Sequence, residues 1–258
     1  MKTINLTFRT LLLFFVINIT FGQNKPQNEE LLDYISKSDH HKVDSLLSKG
    51  CDPNFQETPN SSTPAMIAVY ESDLEMLQLL EKYGANLKSI GLLEITRNSH
   101  SEFYKNVIQT AIGEGKIRIL KYLADTSKSN IPVSEIFNIS SLKIAIQNGR
   151  KNVFNFLEEN MTLNLNNYHE LFYEALRSEK LDLSYQILPK IVFFSNEQKS
   201  LYTTLIIDSK QRYFEDDSVK IKLLKGIGVD SSYKFDKNLN EFFKKRLLES
   251  KQFLILAY

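Results

Sequence analysis

With one cysteine in 258 residues, the chain cannot form an intramolecular disulfide in any compartment, and its stability has to come from packing. Its 32 basic and 31 acidic side chains nearly cancel, which removes any general electrostatic case for nucleic acid or an acidic membrane as partner. The four histidines are His40, His41, His100 and His169. No pair of them, with or without Cys51, has the i, i+4 or Cys-x-x-Cys spacing of a metal site. A Gly-rich phosphate loop is missing, because Gly113, Glu114 and Gly115 fall in a predicted turn between two helices rather than between a strand and a helix. A G-x-S-x-G elbow is absent as well. No nucleophile stands beside a base and an orienting group. These absences point away from an enzyme, and no cofactor is expected. A metal-dependent alternative would have to use His100, His169 or the run Glu215, Asp216 and Asp217. Three consecutive carboxylates lack the alternating spacing of a calcium loop.

Long apolar runs are confined to the beginning of the chain. Lys2 and Arg9 precede an apolar stretch from Leu11 to Ile19, and the small residues Thr20 and Gly22 follow where a signal peptidase reads. Residues 1–22 therefore read as a secretory signal peptide. The alternative is a permanent anchor, for which the run falls short of the ~20 residues a spanning helix needs. Gln23, not a cysteine, would open the mature chain, which argues against a lipid anchor. The expectation is an exported protein, periplasmic or extracellular, with no stable membrane insertion after cleavage. Residues 23–30 are polar with one proline and read as a flexible linker.

What the chain does have is a repeat. Residues 63–87 read TPAMIAVYESDLEMLQLLEKYGANL, in which Thr63 can cap a helix and Pro64 loses nothing as its first residue. Leu74, Met76, Leu77, Leu79 and Leu80 give a second amphipathic helix, and Gly84 lies just past its end. Upstream, Leu31, Ile35, Val43, Leu46, Leu47 and Gly50 fill the same slots, and Gly50 lies 34 residues before Gly84. Downstream, Ile108, Ala111, Gly115, Ile119, Leu120 and Leu123 repeat the pattern, then Leu142, Ala145, Gly149, Val153, Phe154 and Leu157. A fifth unit follows from Phe172, Ala175, Leu176, Leu181, Leu183, Ile187 and Leu188, with Glu179 replacing the inter-helix glycine. A sixth contains Leu201, Leu205, Ile206, Val219, Ile221, Leu223 and Leu224.

A period near 33 residues in helix pairs that cannot bury their own faces is the mark of a solenoid, and the chain resembles the ankyrin-repeat family. The whole resembles an exported bacterial ankyrin-repeat domain-containing protein. The resemblance implies an all-α ankyrin-repeat solenoid over residues 31–230, about six helix-pair units with short finger loops. Residues 231–258 are expected to supply a C-terminal capping helix and tail. From Asp236 to Lys251 apolar and basic residues segregate to opposite sides, and a helix lying on a membrane surface is the alternative there. The family pattern is incomplete: only the second unit keeps Thr-Pro, and Met66 stands where the family usually has His. Residues 88–106 exceed a standard finger and read either as a projecting loop or as a longer first helix built on Leu92, Leu93, Ile95, Phe103 and Tyr104. Residues 211–217 read as a second insertion.

The resemblance also implies a non-catalytic scaffold that binds another protein with the concave face made by finger tips and inner-helix ends, acting as a monomer. Carried over unit by unit, that face comprises Ser36 and Lys37, then Ser62, Tyr70 and Glu71, then Lys105 and Glu114, then Gln147 and Asn148, then His169, Arg177 and Ser178. Tyr70 and Arg177 stand out, because Tyr and Arg dominate interface energies. A narrower alternative is an inhibitor or immunity-type protein that blocks one secreted toxin or enzyme. The identity of the partner is not written in the sequence, since fold fixes no specificity.

Overall fold

The computed structural model describes residues 25–97, 100–208 and 218–229. Most of its helices run seven to nine residues, below the length at which a helix holds itself in water. Each therefore depends on an apolar face pressed against a neighbour. They come in pairs: α1 (Lys25–Ser36) with α2 (His40–Ser48), α3 (Pro64–Tyr70) with α4 (Leu74–Lys82), and α5 (Val107–Gly113) with α6 (Ile117–Ala124). The one-turn α7 (Val133–Ile136) precedes α8 (Ile139–Gln147) with α9 (Lys151–Glu159), α10 (Leu165–Arg177) with α11 (Leu181–Ile187), and α12 (Asn196–Asp208) with α13 (Ser218–Gly226). The expected helix-pair units are thus all found among the described residues.

Contacts divide the chain into two units, one ending at Pro132 and one beginning at Val133. In the first, α1, α3 and α5 lie side by side, with α2 against α4. Ile35, Met66, Met76, Leu80, Ile112 and Leu120 are fully buried between these layers. In the second, α8, α10 and α12 form the row and α11 lies against α13, over a core of Phe154, Phe172, Leu181, Ile206 and Leu223. Cys51 is buried in the first unit, and burial pushes its thiol pKa up, as befits a packing residue rather than a nucleophile.

Polar ties recur between successive pairs. Asp73 caps α4 through Oδ1, which accepts from the Met76 N–H at 2.9 Å, while its Oδ2 lies 2.8 Å from Nε2 of His40 on α2. Tyr83 donates to Asp44 Oδ1 at 2.8 Å and Tyr122 donates to Glu81, each reaching back to the preceding second helix. Asn54 links two fingers, accepting from the Asn86 N–H at 2.7 Å and donating to the Gly84 carbonyl. The first helices start on caps the sequence pattern did not announce. Thr63 caps α3 as expected, but Asn106, Asn138 and Asn164 do the same for α5, α8 and α10.

Three expectations are corrected. The polar stretch 23–30 is not a linker from Lys25 onward, since it forms the first turns of α1. Asn28 is buried there and accepts a hydrogen bond from the Asp52 N–H at 3.0 Å. The segment 88–106 is neither a loop nor a helix but an antiparallel hairpin of β1 (Leu93–Arg97) and β2 (His100–Tyr104), paired from Leu93↔Tyr104 to Arg97↔His100. Leu93, Ile95 and Arg97 alternate with Glu94 and Thr96, a period of two that no helix face accommodates. Leu201, expected in the core, is 47% exposed; Tyr202 is buried in its place, and Ile206 is buried as expected. Residues 1–22, 211–217 and 231–258, with their expected signal peptide, insertion and cap, lie outside the described residues.

Each of the first five pairs turns on one residue in the left-handed region: Ser38, Ser72, Gly115, Gly149 and Glu179. A side chain there costs energy that glycine avoids. Replacing Glu179 (φ 56°) by glycine should raise stability by up to ~1 kcal/mol, measured by urea denaturation. Gly91 obeys the opposite constraint, for a Cβ there would sit 2.4 Å from the Ser61 carbonyl oxygen. Gly91→Ala should therefore lower stability by about 1–3 kcal/mol in the same assay.

Candidate functional site

The repeat brings most of the residues carried over from the family to one recurring place. Ser36, Tyr70, Gln147 and Arg177 are the last residues of α1, α3, α8 and α10. Glu71, Glu114, Asn148 and Ser178 are the residues that close α3, α5, α8 and α10, and Lys37 follows α1. Ser62 and Lys105 lie ahead of α3 and α5, Ser62 engaged through its side chain and Lys105 through its backbone. The Ser62 hydroxyl donates to the Leu92 carbonyl at 3.3 Å, and the Lys105 N–H donates to Gln109 Oε1 at 3.0 Å.

In the first unit the Lys116 ammonium lies 5.9 Å from the centre of the Tyr70 ring and donates to the Ser72 hydroxyl. The buried Tyr104 hydroxyl donates to Glu114 Oε1 at 3.0 Å. A groove of about 290 Å³ runs between α1, the finger and α3, with Glu29, Asp33, Ser36, Glu57 and Ser62 among its walls and Leu32 and Ile67 as its apolar side chains. Lys37 pairs with Asp33 at 2.6 Å.

In the second unit Gln147, Arg177 and Ser178 converge on a residue the sequence pattern did not single out. Glu174 is buried on α10, and its Oε1 accepts from Gln147 Nε2 at 2.9 Å, from the Arg177 guanidinium at 2.8 Å and from the Ser178 hydroxyl at 3.1 Å. Burial pushes the Glu174 carboxyl up, but the hydrogen bonds from Arg177, Gln147 and Ser178 outweigh it and leave the pKa below the ordinary glutamate value. The signal that marks Glu174 is a lone carboxylate inside the apolar run Phe172, Ala175 and Leu176. Asn148 instead folds back, donating to the Ile144 carbonyl at 2.9 Å.

His169 is not ahead of its helix, as expected, but within α10, because the reciprocal cap between Asn164 and Asn167 starts that helix at Leu165. Its ring meets Phe194 edge-on at 5.4 Å, in a cluster with Phe172 and Tyr202. Burial pulls its pKa down, only partly countered by a hydrogen bond to the Phe193 backbone. In the same cluster burial pushes the Tyr202 hydroxyl up to about 12. Among the described residues no group of three or more His, Cys, Asp or Glu is placed to hold a metal ion, and the Glu215–Asp217 run lies outside them. No described helix is long and apolar enough to cross a membrane.

No protein-family profile matches the chain, and no curated protein does. Among solved structures it is similar to the crystal structure of the human ASB11 ankyrin repeat domain, with a TM-score of 0.51 and 13% sequence identity over 85% of this chain and 97% of that one. The fold is an ankyrin-repeat solenoid. The hairpin β1–β2 is a departure within it, inserted between the second and third helix pairs. Identity this low speaks to the fold alone and names no partner.

Glu174 yields a test with a sign. A carboxyl whose folded pKa is lowered adds stability above its unfolded value and loses it as pH falls through the folded value. At neutral pH Glu174→Ala should cost about 1–3 kcal/mol, more than Gln147→Ala, because it strands several donors at once. The deficit should shrink below about pH 4. Urea melts of both variants at neutral and acidic pH measure this.

Proposed function

We propose that this chain is a non-catalytic, exported scaffold that binds a protein partner through the ends of its first helices and the adjoining fingers. The observation that supports this most is that partly exposed side chains at those ends are held by their neighbours. Arg177, 53% exposed at its side chain, is fixed by buried Glu174, and Tyr70 is flanked by Lys116. A side chain already held in place loses little entropy on docking, so its contacts convert more fully into affinity. The ankyrin-repeat fold and the lack of a catalytic constellation in the sequence favour the same reading. The apolar run before residue 23 supports export, and the chain acts as a monomer.

Affinity capture with the purified protein, from envelope and secreted fractions of the source cells, should retain one stoichiometric partner. Replacing Tyr70 and Arg177 by alanine, singly and together, should lower retention at least tenfold, which corresponds to ~1.4 kcal/mol, with the helical circular dichroism unchanged. Retention insensitive to both substitutions would count against this face.

A further inference from the structure

The groove of the first unit carries more information about the partner than any other surface described. Its walls hold three carboxylates, Glu29, Asp33 and Glu57, and the nearby cation, Lys37, is committed to Asp33 at 2.6 Å. Glu29 and Glu57 are exposed and held by no ion pair or hydrogen bond among the described residues. The side chains are not a surface charge run: Glu29 and Asp33 come from one face of α1, while Glu57 comes from the finger that ends in Ser61 and Ser62. Leu32 and Ile67 add apolar surface to the same cleft.

Directly beside it lies an exposed apolar strip. Ser61 pairs with Leu92 as an isolated β-bridge, and the Ser62 hydroxyl donates to the Leu92 carbonyl. Gln56 donates to the Ile90 carbonyl at 3.3 Å. Between Ile90 and Leu92, Gly91 faces inward against Ser61 and Met66, and the two flanking side chains are 68% and 42% exposed. Two exposed apolar side chains thus stand beside a concave acidic cleft.

We propose that this cleft receives a lysine or arginine side chain from a segment of the protein partner, whose neighbouring apolar residues rest on Ile90 and Leu92. The unpaired carboxylates supply the charge complementarity that selects a basic segment and steers its approach. The apolar strip supplies burial. This rests on the reading that the first-helix face docks a protein, and it narrows that partner to one presenting a segment of mixed basic and apolar residues.

The test is fluorescence anisotropy of the purified protein with a fluorescein-labelled peptide, Gly-Leu-Lys-Leu-Arg-Leu-Gly, against the same peptide carrying Glu in place of Lys and Arg. The basic peptide should bind and the acidic one should not. Binding should fall about tenfold in the Glu29→Gln/Glu57→Gln variant and likewise in about 0.5 M salt. Replacing Leu92 by Ser should weaken the peptide without changing its salt dependence. Equal binding of the two peptides, or binding indifferent to the double substitution, overturns the proposal. A partner captured equally well by the native protein and by Glu29→Gln/Glu57→Gln, yet lost on Tyr70→Ala, would overturn it while leaving the docking reading intact.

Discussion

A pair of helices of seven to nine residues has an apolar face it cannot cover, and everything else in this molecule follows from covering it with the next pair. Short helices are marginal in isolation, so the unit of stability here is the contact between successive pairs rather than the pair itself. That is why the buried residues form repeating sets, Ile35, Met66 and Ile112 in one row and Leu142, Phe172 and Ile206 in another. It also explains why the polar ties run backward along the chain. His40 to Asp73, Tyr83 to Asp44 and Gln186 to Asn155 each join a residue to one about a repeat away, which holds neighbours in register where dispersion forces alone would let them slide.

The same stacking shapes the surface. In the first five pairs the first helix ends just before the chain turns through a left-handed residue, so its last side chains fall at the same place in each of them. What those side chains do there differs. In the second unit a buried carboxylate gathers Gln147, Arg177 and Ser178 into a rigid polar group. In the first, an aromatic ring has a lysine beside it, and a separate cleft holding Glu29 and Glu57 stands next to exposed Ile90 and Leu92. A buried acid beneath a half-exposed arginine is costly to unpair, and so the arginine is presented in one conformation. In the acidic cleft Asp33 is paired with Lys37, while Glu29 and Glu57 have no such partner among the described residues.

The legible part of the chain was its periodicity. Glycines at 50 and 84, and again at 115 and 149, together with Leu, Ile and Val at helical spacing, define the helix pairs because the pattern is imposed by burial and repeats with the geometry. The left-handed turn at Glu179 was legible too, since its neighbours fixed the slot even without a glycine. Less legible were the starts of helices. Asparagine caps at 106, 138 and 164 are common residues in an asparagine-rich chain, and nothing local distinguishes a capping asparagine from a solvated one. His169 was misplaced for that reason, because an unseen cap moved the helix start upstream.

By itself, then, the amino-acid order determined the repeat, the helix pairing and the slots at which surface residues recur, since these depend on interactions between residues a few positions apart and on a spacing that can be counted. Only the tertiary structure decided that residues 25–30 belong to a helix, that 93–97 and 100–104 pair as antiparallel strands, that Glu174 sits beneath Arg177, and that Glu29, Asp33 and Glu57 share one cleft. Each of these turns on groups brought together from neighbouring units or opposed strands, by a packing geometry that sequence spacing does not encode.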